Sequence, residues 1–296
     1  MTFARDAHIS DPETLPRVPS WVTSARAETL EDVAFLSGAA LNHLHLVLGR
    51  EEVPQALLRE RLALRATEAC LTFAGRPERA AELRDAVHLL RPGDLPGPAG
   101  EIYLSSRRAV ERPNSVRTLH RALQGFDIAQ IAEWLDAGQG VPVARAAMVL
   151  EAVLSEAPRS EAAGLILADA ALAQSLGWDH VVPVFASGLK RTDLRRRGED
   201  LRLACHRAVV ASAIDAVQLA AELAPRTAHL KAIAPKLRAK GSNEAVALFL
   251  SRDAVAPAAL SSLRSNRAAR RLCDRLVELG AVRELTGRDT FRLYGL

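Results

Sequence analysis

The sequence predicts an all-α protein, a multi-helix body followed by a C-terminal winged helix-turn-helix with a small β-hairpin. Three observations predict it. Ala, Leu and Arg are plentiful while β-branched residues are sparse and aromatics make up only 4%, a bias toward helices over sheets. Apolar residues recur at helical spacing in segment after segment, with prolines and glycines between the segments. Residues 243–296 read as three helices followed by two β-like runs. With 296 residues, 49% of them hydrophobic, the chain has material for one large or two ordinary cores, which excludes a disordered tail.

Residues 1–28 carry Pro and polar residues without periodicity and are expected to lie extended on the body, LPRVPSW included. Thr29 with Asp32 is a variant capping box, and Val33, Leu36, Ala40, Leu41, Leu44 and Val47 then repeat at helical spacing as far as Gly49. A second helix is expected from Pro54 to Phe73, and a third opens at Pro77 and runs through Leu83, Val87 and Leu90. RPGDLPGPAG, 91–100, breaks the pattern as a rigid connector. Helices are predicted over 102–111, 115–124, 128–137, 143–154 and 161–176, the last apolar on several sides and stopped by Gly177. VVPVFA, 181–186, reads as a short strand or an extended connector. A long helix over 194–223 follows, then a basic segment between Pro225 and Pro235, and GSN at 241–243 marks the best boundary. The domains predicted are 1–28, a helical body over 29–240, and a winged-helix domain over 243–296.

In that last domain Asn243 is the expected cap of a helix over 244–250, and Pro257 starts a short helix over 258–263. Ser265 caps a third helix, whose Ala268, Ala269, Leu272, Cys273, Leu276 and Leu279 form one apolar stripe that ends at Gly280. The β-like runs are 281–285 and 290–294, joined by Thr286-Gly287-Arg288-Asp289. Charge gathers here. From 259 to 296 there are eight arginines against four acids, an excess equal to the whole chain's net charge of +4, so the rest is formally neutral. In a winged helix the third helix enters the major groove and the hairpin lies on the flanking backbone. Arg264, Arg267, Arg270, Arg271 and Arg275 are then placed to meet phosphates or guanine, and Asn266 to pair with adenine. Arg283, Arg288 and Arg292 would hold the wing to phosphates. Because arginine outnumbers lysine 35 to 4, the same pattern also describes a solvated face, and a winged helix also serves for dimerisation or protein docking.

Residues 267–296, RAARRLCDRLVELGAVRELTGRDTFRLYGL, resemble the C-terminal winged-helix segment of Fic-type adenylyltransferases. They also resemble the ending of an uncharacterised bacterial domain-of-unknown-function family. That second resemblance extends over most of the chain through DVAFLSGAAL (32–41), RLALRATEAC (61–70) and LRDAVHLLRPGDLPGPAG (83–100), and it implies no activity. Residues 142–172 resemble the Fic layout of helix, active loop and helix. The loop departs from it, because SEAPRSEAAG (155–164) has no histidine and one glycine where Fic enzymes need a histidine base and a glycine-rich phosphate loop. The resemblance therefore implies a degenerate scaffold without adenylylation.

Other constellations are weaker. His43 and His45 lie two apart on a helix and point in different directions, poor geometry for a shared metal. Cys205-His206 has no carboxylate neighbour in sequence to complete a nucleophile and base. The prolines of 91–100 remove the N–H donors a phosphate loop uses, and no G-K-[ST] follows. Lys190, Arg191 and Arg195 to Arg197 form a second basic cluster, to which Lys231, Lys236 and Lys240 add if the fold brings them near the C-terminal helix. Cys70, Cys205 and Cys273 are widely separated in apolar contexts, as buried free thiols are, with no C-x-x-C for zinc. No h-region opens the chain, and charges are expected to interrupt every stretch long enough to span a bilayer. The expectation is a cytoplasmic, non-catalytic protein without cofactor, metal or membrane contact, binding double-stranded DNA as a regulator or a DNA or plasmid maintenance factor. A protein partner or homodimer would use the body. The alternatives are a protein-interaction scaffold with a structural winged helix and a degenerate Fic-like nucleotide-binding protein.

Overall fold

The computed structural model describes residues 15–24, 29–91, 93–237 and 239–296. Among them are twelve α-helices and one two-stranded antiparallel sheet close to the C-terminus. Most of the segment expected to be extended, 1–28, lies outside the described residues. Within it, Ser20–Ser24 is a short helix, α1, rather than extended chain, because Val22 is buried and its N–H donates to the Pro19 carbonyl.

The local start and stop signals act as expected at several ends. Thr29 caps α2 (Leu30–Leu48), its hydroxyl accepting from the Asp32 N–H and donating to the Asp32 carboxylate at 2.6 Å. α3 (Gln55–Phe73) begins directly after Pro54. α4 (Ala80–His88) starts three residues beyond Pro77, where Glu82 accepts from the Arg79 N–H and Glu68 of α3 accepts from the Ala80 N–H. α5 (Gly97–Glu111) overturns the expected connector in part, since Pro98 sits in its first turn, where a missing N–H costs nothing. α6 (Val116–Ala122) is capped by Ser115, and α7 (Ile128–Asp136) and α8 (Pro142–Glu156) follow. α9 (Glu161–Leu176) is buried continuously from Ala163 to Ala173 and ends at Gly177 in the left-handed conformation. Residues 181–186 form no strand. They are a buried connector whose Val184 and Phe185 N–H groups donate to the Asp169 carboxylate of α9.

α10 (Gly198–Ile233) runs 36 residues and passes through Pro225, although the sequence predicts an end before that proline. Buried Leu223, Ala224, Thr227 and Leu230 on either side hold the helix together across the missing hydrogen bond. The stretch from Gly198 to Lys236 is also long and apolar enough to cross a membrane, contrary to the expectation that charge interrupts every such run, but 56% of its most apolar window is buried within the protein. A core helix passes the same test.

α10 organises the molecule. α2 packs along it, α8 packs on both α9 and α10, and α3 packs on α5. One continuous apolar core joins Leu44, Leu172 and Val217 to Phe249, Leu276 and Tyr294, so the C-terminal elements share a core with the body. A second cluster surrounds Trp134, Ile131 and Leu167.

Candidate nucleic-acid interface

The C-terminal module starts at Gly241, whose φ of +90° and close approach to the Ser262 carbonyl leave no room for a Cβ. α11 is Ser242–Phe249, so Asn243 lies inside the helix and is not its cap. Val255 forms a single bridge with Tyr294, its N–H donating to the Tyr294 carbonyl at 2.8 Å. The helix expected over 258–263 reduces to the 3-10 turn Pro257–Ala259. Only one turn forms because Leu260 and Leu263 both tuck into the core from irregular chain.

α12 (Asn266–Glu278) is capped by Ser265, whose hydroxyl accepts from the Ala268 N–H at 3.2 Å. It buries Ala269, Leu272, Cys273 and Leu276, the core of the predicted stripe. Gly280 at φ +68° lets the chain turn back, with the Ala281 N–H donating to the Leu276 carbonyl. β1 (Arg283–Glu284) pairs with β2 (Tyr294–Gly295), and the Leu285 N–H extends the ladder to the Leu293 carbonyl. The paired runs are shorter than predicted, since Glu284 pulls the chain into a turn by accepting from the Thr286 and Gly287 N–H groups. Burial opposes ionisation of Glu284, but the Thr286 hydroxyl and then those two N–H groups hold its carboxyl below the usual range.

The predicted arginines divide into three groups. Arg267, Arg271 and Arg275, spaced one turn apart, line a groove of about 500 Å³ between α12 and the end of α10, joined there by Lys236. Arg264, Asn266, Arg270 and Arg283 are exposed elsewhere on the module. Among the described residues Arg264, Arg267, Arg270, Arg271 and Arg283 have no ion-pair partner, whereas Arg275 pairs with Glu278 at 3.0 Å. Arg288 and Arg292 are engaged within the protein. Arg288 pairs with Asp85 of α4, which ties the hairpin to the body, and Arg292 donates to the Arg288 carbonyl and pairs with Asp289 at 3.6 Å. The second basic cluster splits likewise: Lys236 reaches the groove, while 190–197 precedes the opposite end of α10, roughly 50 Å away along a helix of this length.

Sequence reasoning missed a buried ion network behind the module. Asp253, fully buried, pairs with Arg61 at 3.1 Å and with Arg84 at 2.6 Å, and its N–H donates to Glu60 at 2.6 Å. Glu60 also pairs with Arg107 and, at 3.3 Å, with Arg252, which reaches Glu111 at 2.6 Å. Burial and the Arg107 charge push nearby His88 down to about 4. The partners come from positions between 47 and 193 apart, beyond any local pattern.

Elsewhere, His43 bonds the Pro16 carbonyl and His45 the Trp178 indole, so the two histidines do diverge. His206 Nδ1 lies 2.6 Å from Ser37 Oγ, but Ser37 is 1% exposed and donates its proton to the Ala34 carbonyl, which seals the pair from any substrate. Cys70, Cys205 and Cys273 are buried free thiols, each pushed up by burial. Among the described residues no three His, Cys, Asp or Glu side chains gather as a metal set.

The class so defined is a mostly helical protein with a basic helix and a short hairpin packed onto its C-terminal face. The chain belongs to the family described as "Protein of unknown function (DUF1403)", whose family model matches residues 6–296. No curated protein matches it.

Proposed function

We propose that this is a non-catalytic DNA-binding protein whose C-terminal module works as a winged helix. The order of elements supports that reading: α11, the Val255 bridge, the 3-10 turn, α12, β1, a turn and β2, with Tyr294 paired to Val255 on one side and to Glu284 on the other. The observation that carries it is the exposed face of α12, where Arg267, Arg270 and Arg271 are without a carboxylate partner among the described residues and Arg264 stands just ahead of the helix. Unpaired guanidinium groups at the start of a helix are suited to phosphates and to the O6 and N7 acceptors of guanine. The pair of Arg288 with Asp85 would fix the hairpin, and among the described residues Arg283 of the sheet has no ion-pair partner.

In a gel-shift assay on random genomic fragments the full chain is expected to retard DNA at low salt. Changing Arg267 and Arg271 together to alanine should make the slope of log affinity against log salt shallower by about 0.9 for each phosphate that is no longer neutralised. No retardation at low salt sinks the reading.

One observation favours a second reading, a protein-interaction scaffold. The groove beside α12 has an apolar floor of Ile233, Leu237, Leu272 and Leu279 beneath its cations, which suits an acidic amphipathic helix better than a duplex. That reading predicts a co-purifying protein and no salt-sensitive nucleic acid.

A further inference from the structure

A second cleft, of about 500 Å³, opens on the body where the end of α2, the first turn of α3 and residues 177–182 meet. Its most unusual wall is Arg59 of α3, only 9% exposed. The Arg59 Nε–H donates to the Val110 carbonyl at 3.2 Å, and among the described residues the guanidinium has no carboxylate partner. The two acids on the body side of Arg59 are taken: both oxygens of Glu60 are engaged by Arg107, Arg252 and the Asp253 N–H, and Glu111 by Arg252. A guanidinium removed from water without a counter-charge is costly and is ordinarily paired. Burial accordingly pulls Arg59 below its usual value.

The surroundings point the same way. Among the described residues no side chain caps the N–H groups of the first turn of α3, where Ala56 lines the cleft, so the positive end of a 19-residue helix faces the same space. The Trp178 indole N–H donates to His45 Nδ1 at 2.9 Å, which holds the indole in place and, in neutral His45, leaves Nε2 as the N–H donor. Leu48 and Val182 add apolar wall. Asp179, exposed, also lines the cleft and disfavours a second negative charge on the occupant. His180 beside it is held low, first by burial and then by the Arg59 charge.

We propose that this cleft binds a small aromatic or apolar monocarboxylate, its carboxylate on the Arg59 guanidinium and its apolar part against Trp178, Leu48 and Val182. The size suits a small-molecule site, and one unpaired guanidinium matches one carboxylate bidentately. Such a site would give the body a ligand of its own, independent of any nucleic acid on α12.

The test uses the full chain and three probes at constant ionic strength: benzoate, its neutral analogue benzamide, and inorganic phosphate, followed by ligand-observed NMR. Benzoate is expected to bind in the millimolar range, as its size allows, with benzamide and phosphate at least tenfold weaker. Arg59→Met should weaken benzoate at least tenfold and Arg59→Lys by less, while Arg271→Ala leaves it unchanged. If Arg59→Met does not fold, the benzamide comparison and Arg59→Lys still decide. Equal binding of benzoate and benzamide, no benzoate binding, tighter binding of phosphate than benzoate, or benzoate binding indifferent to Arg59 would each overturn the proposal. A failure of DNA binding would leave it standing.

Discussion

The carboxyl of Asp169, midway along α9, is buried and accepts the Val184 and Phe185 N–H groups on one oxygen, at 2.9 and 3.2 Å. Burial outweighs those two bonds and pushes its pKa up to about 8 from an ordinary 3.8. The folded state therefore holds a proton that the unfolded state has released between pH about 4 and about 8. Stability supplied by this group is full below pH 4 and is lost as the pH rises toward 8, at about 1.4 kcal/mol for each pH unit within that window. Asp169→Asn keeps the accepting oxygen and removes the charge. The variant should match the wild type near pH 4 and melt higher at pH 8, a difference that thermal unfolding across the range would show. A variant that melts lower at pH 8 would mean that the ionised carboxylate is what the connector requires.

At the scale of the element, α10 sets a proline inside a helix of 36 residues, and Pro225 is on its exposed side. The proline removes the hydrogen bond to the Ala221 carbonyl and is intrinsically poor in a helix interior, by about 3 kcal/mol against alanine in model systems. Pro225→Ala should therefore stabilise the protein, by about 1 kcal/mol or more, read as a higher midpoint in urea with an unchanged slope. A lower midpoint would show that the proline is needed to seat the buried residues on either side. The same helix shows what a single sequence reveals. Thr29, Ser115, Ser265, Gly177 and Gly280 act within a few residues of themselves, and the helix ends they set are legible in the sequence. Pro225 is not, because its effect depends on burial of Leu223 and Leu230 against other helices. The cluster of Arg267, Arg271 and Arg275 follows from helical spacing, but its neighbour Lys236 and the diversion of Arg288 to Asp85 depend on chain arriving from elsewhere.

Across the whole molecule, the ion network joins the C-terminal module to α3, α4 and α5, beside the shared apolar core and the Arg288–Asp85 pair. Asp253 is fully buried and pairs with both Arg61 and Arg84, each of which keeps less than a fifth of its side chain exposed. Arg61 also donates to the Leu296 carbonyl, so one arginine fastens both the turn after α11 and the chain beyond β2. Asp253→Asn preserves the shape and one accepting oxygen but leaves two part-buried guanidinium groups without their counter-charge. Breaking such a network by removing one partner typically costs about 3 to 5 kcal/mol, whereas exchanging the whole set for apolar residues is often neutral. Asp253→Asn should thus destabilise the protein by about 3 kcal/mol in chemical denaturation, and replacing Arg61 and Arg84 by Met together with Asp253→Leu should recover most of it. Because Leu276 and Tyr294 lie in the same core as Leu44 and Val217, the destabilisation is expected in one transition for the whole chain. Two separated transitions in the single variant would mean that the module unfolds by itself and that the network, rather than the apolar core, couples it to the body.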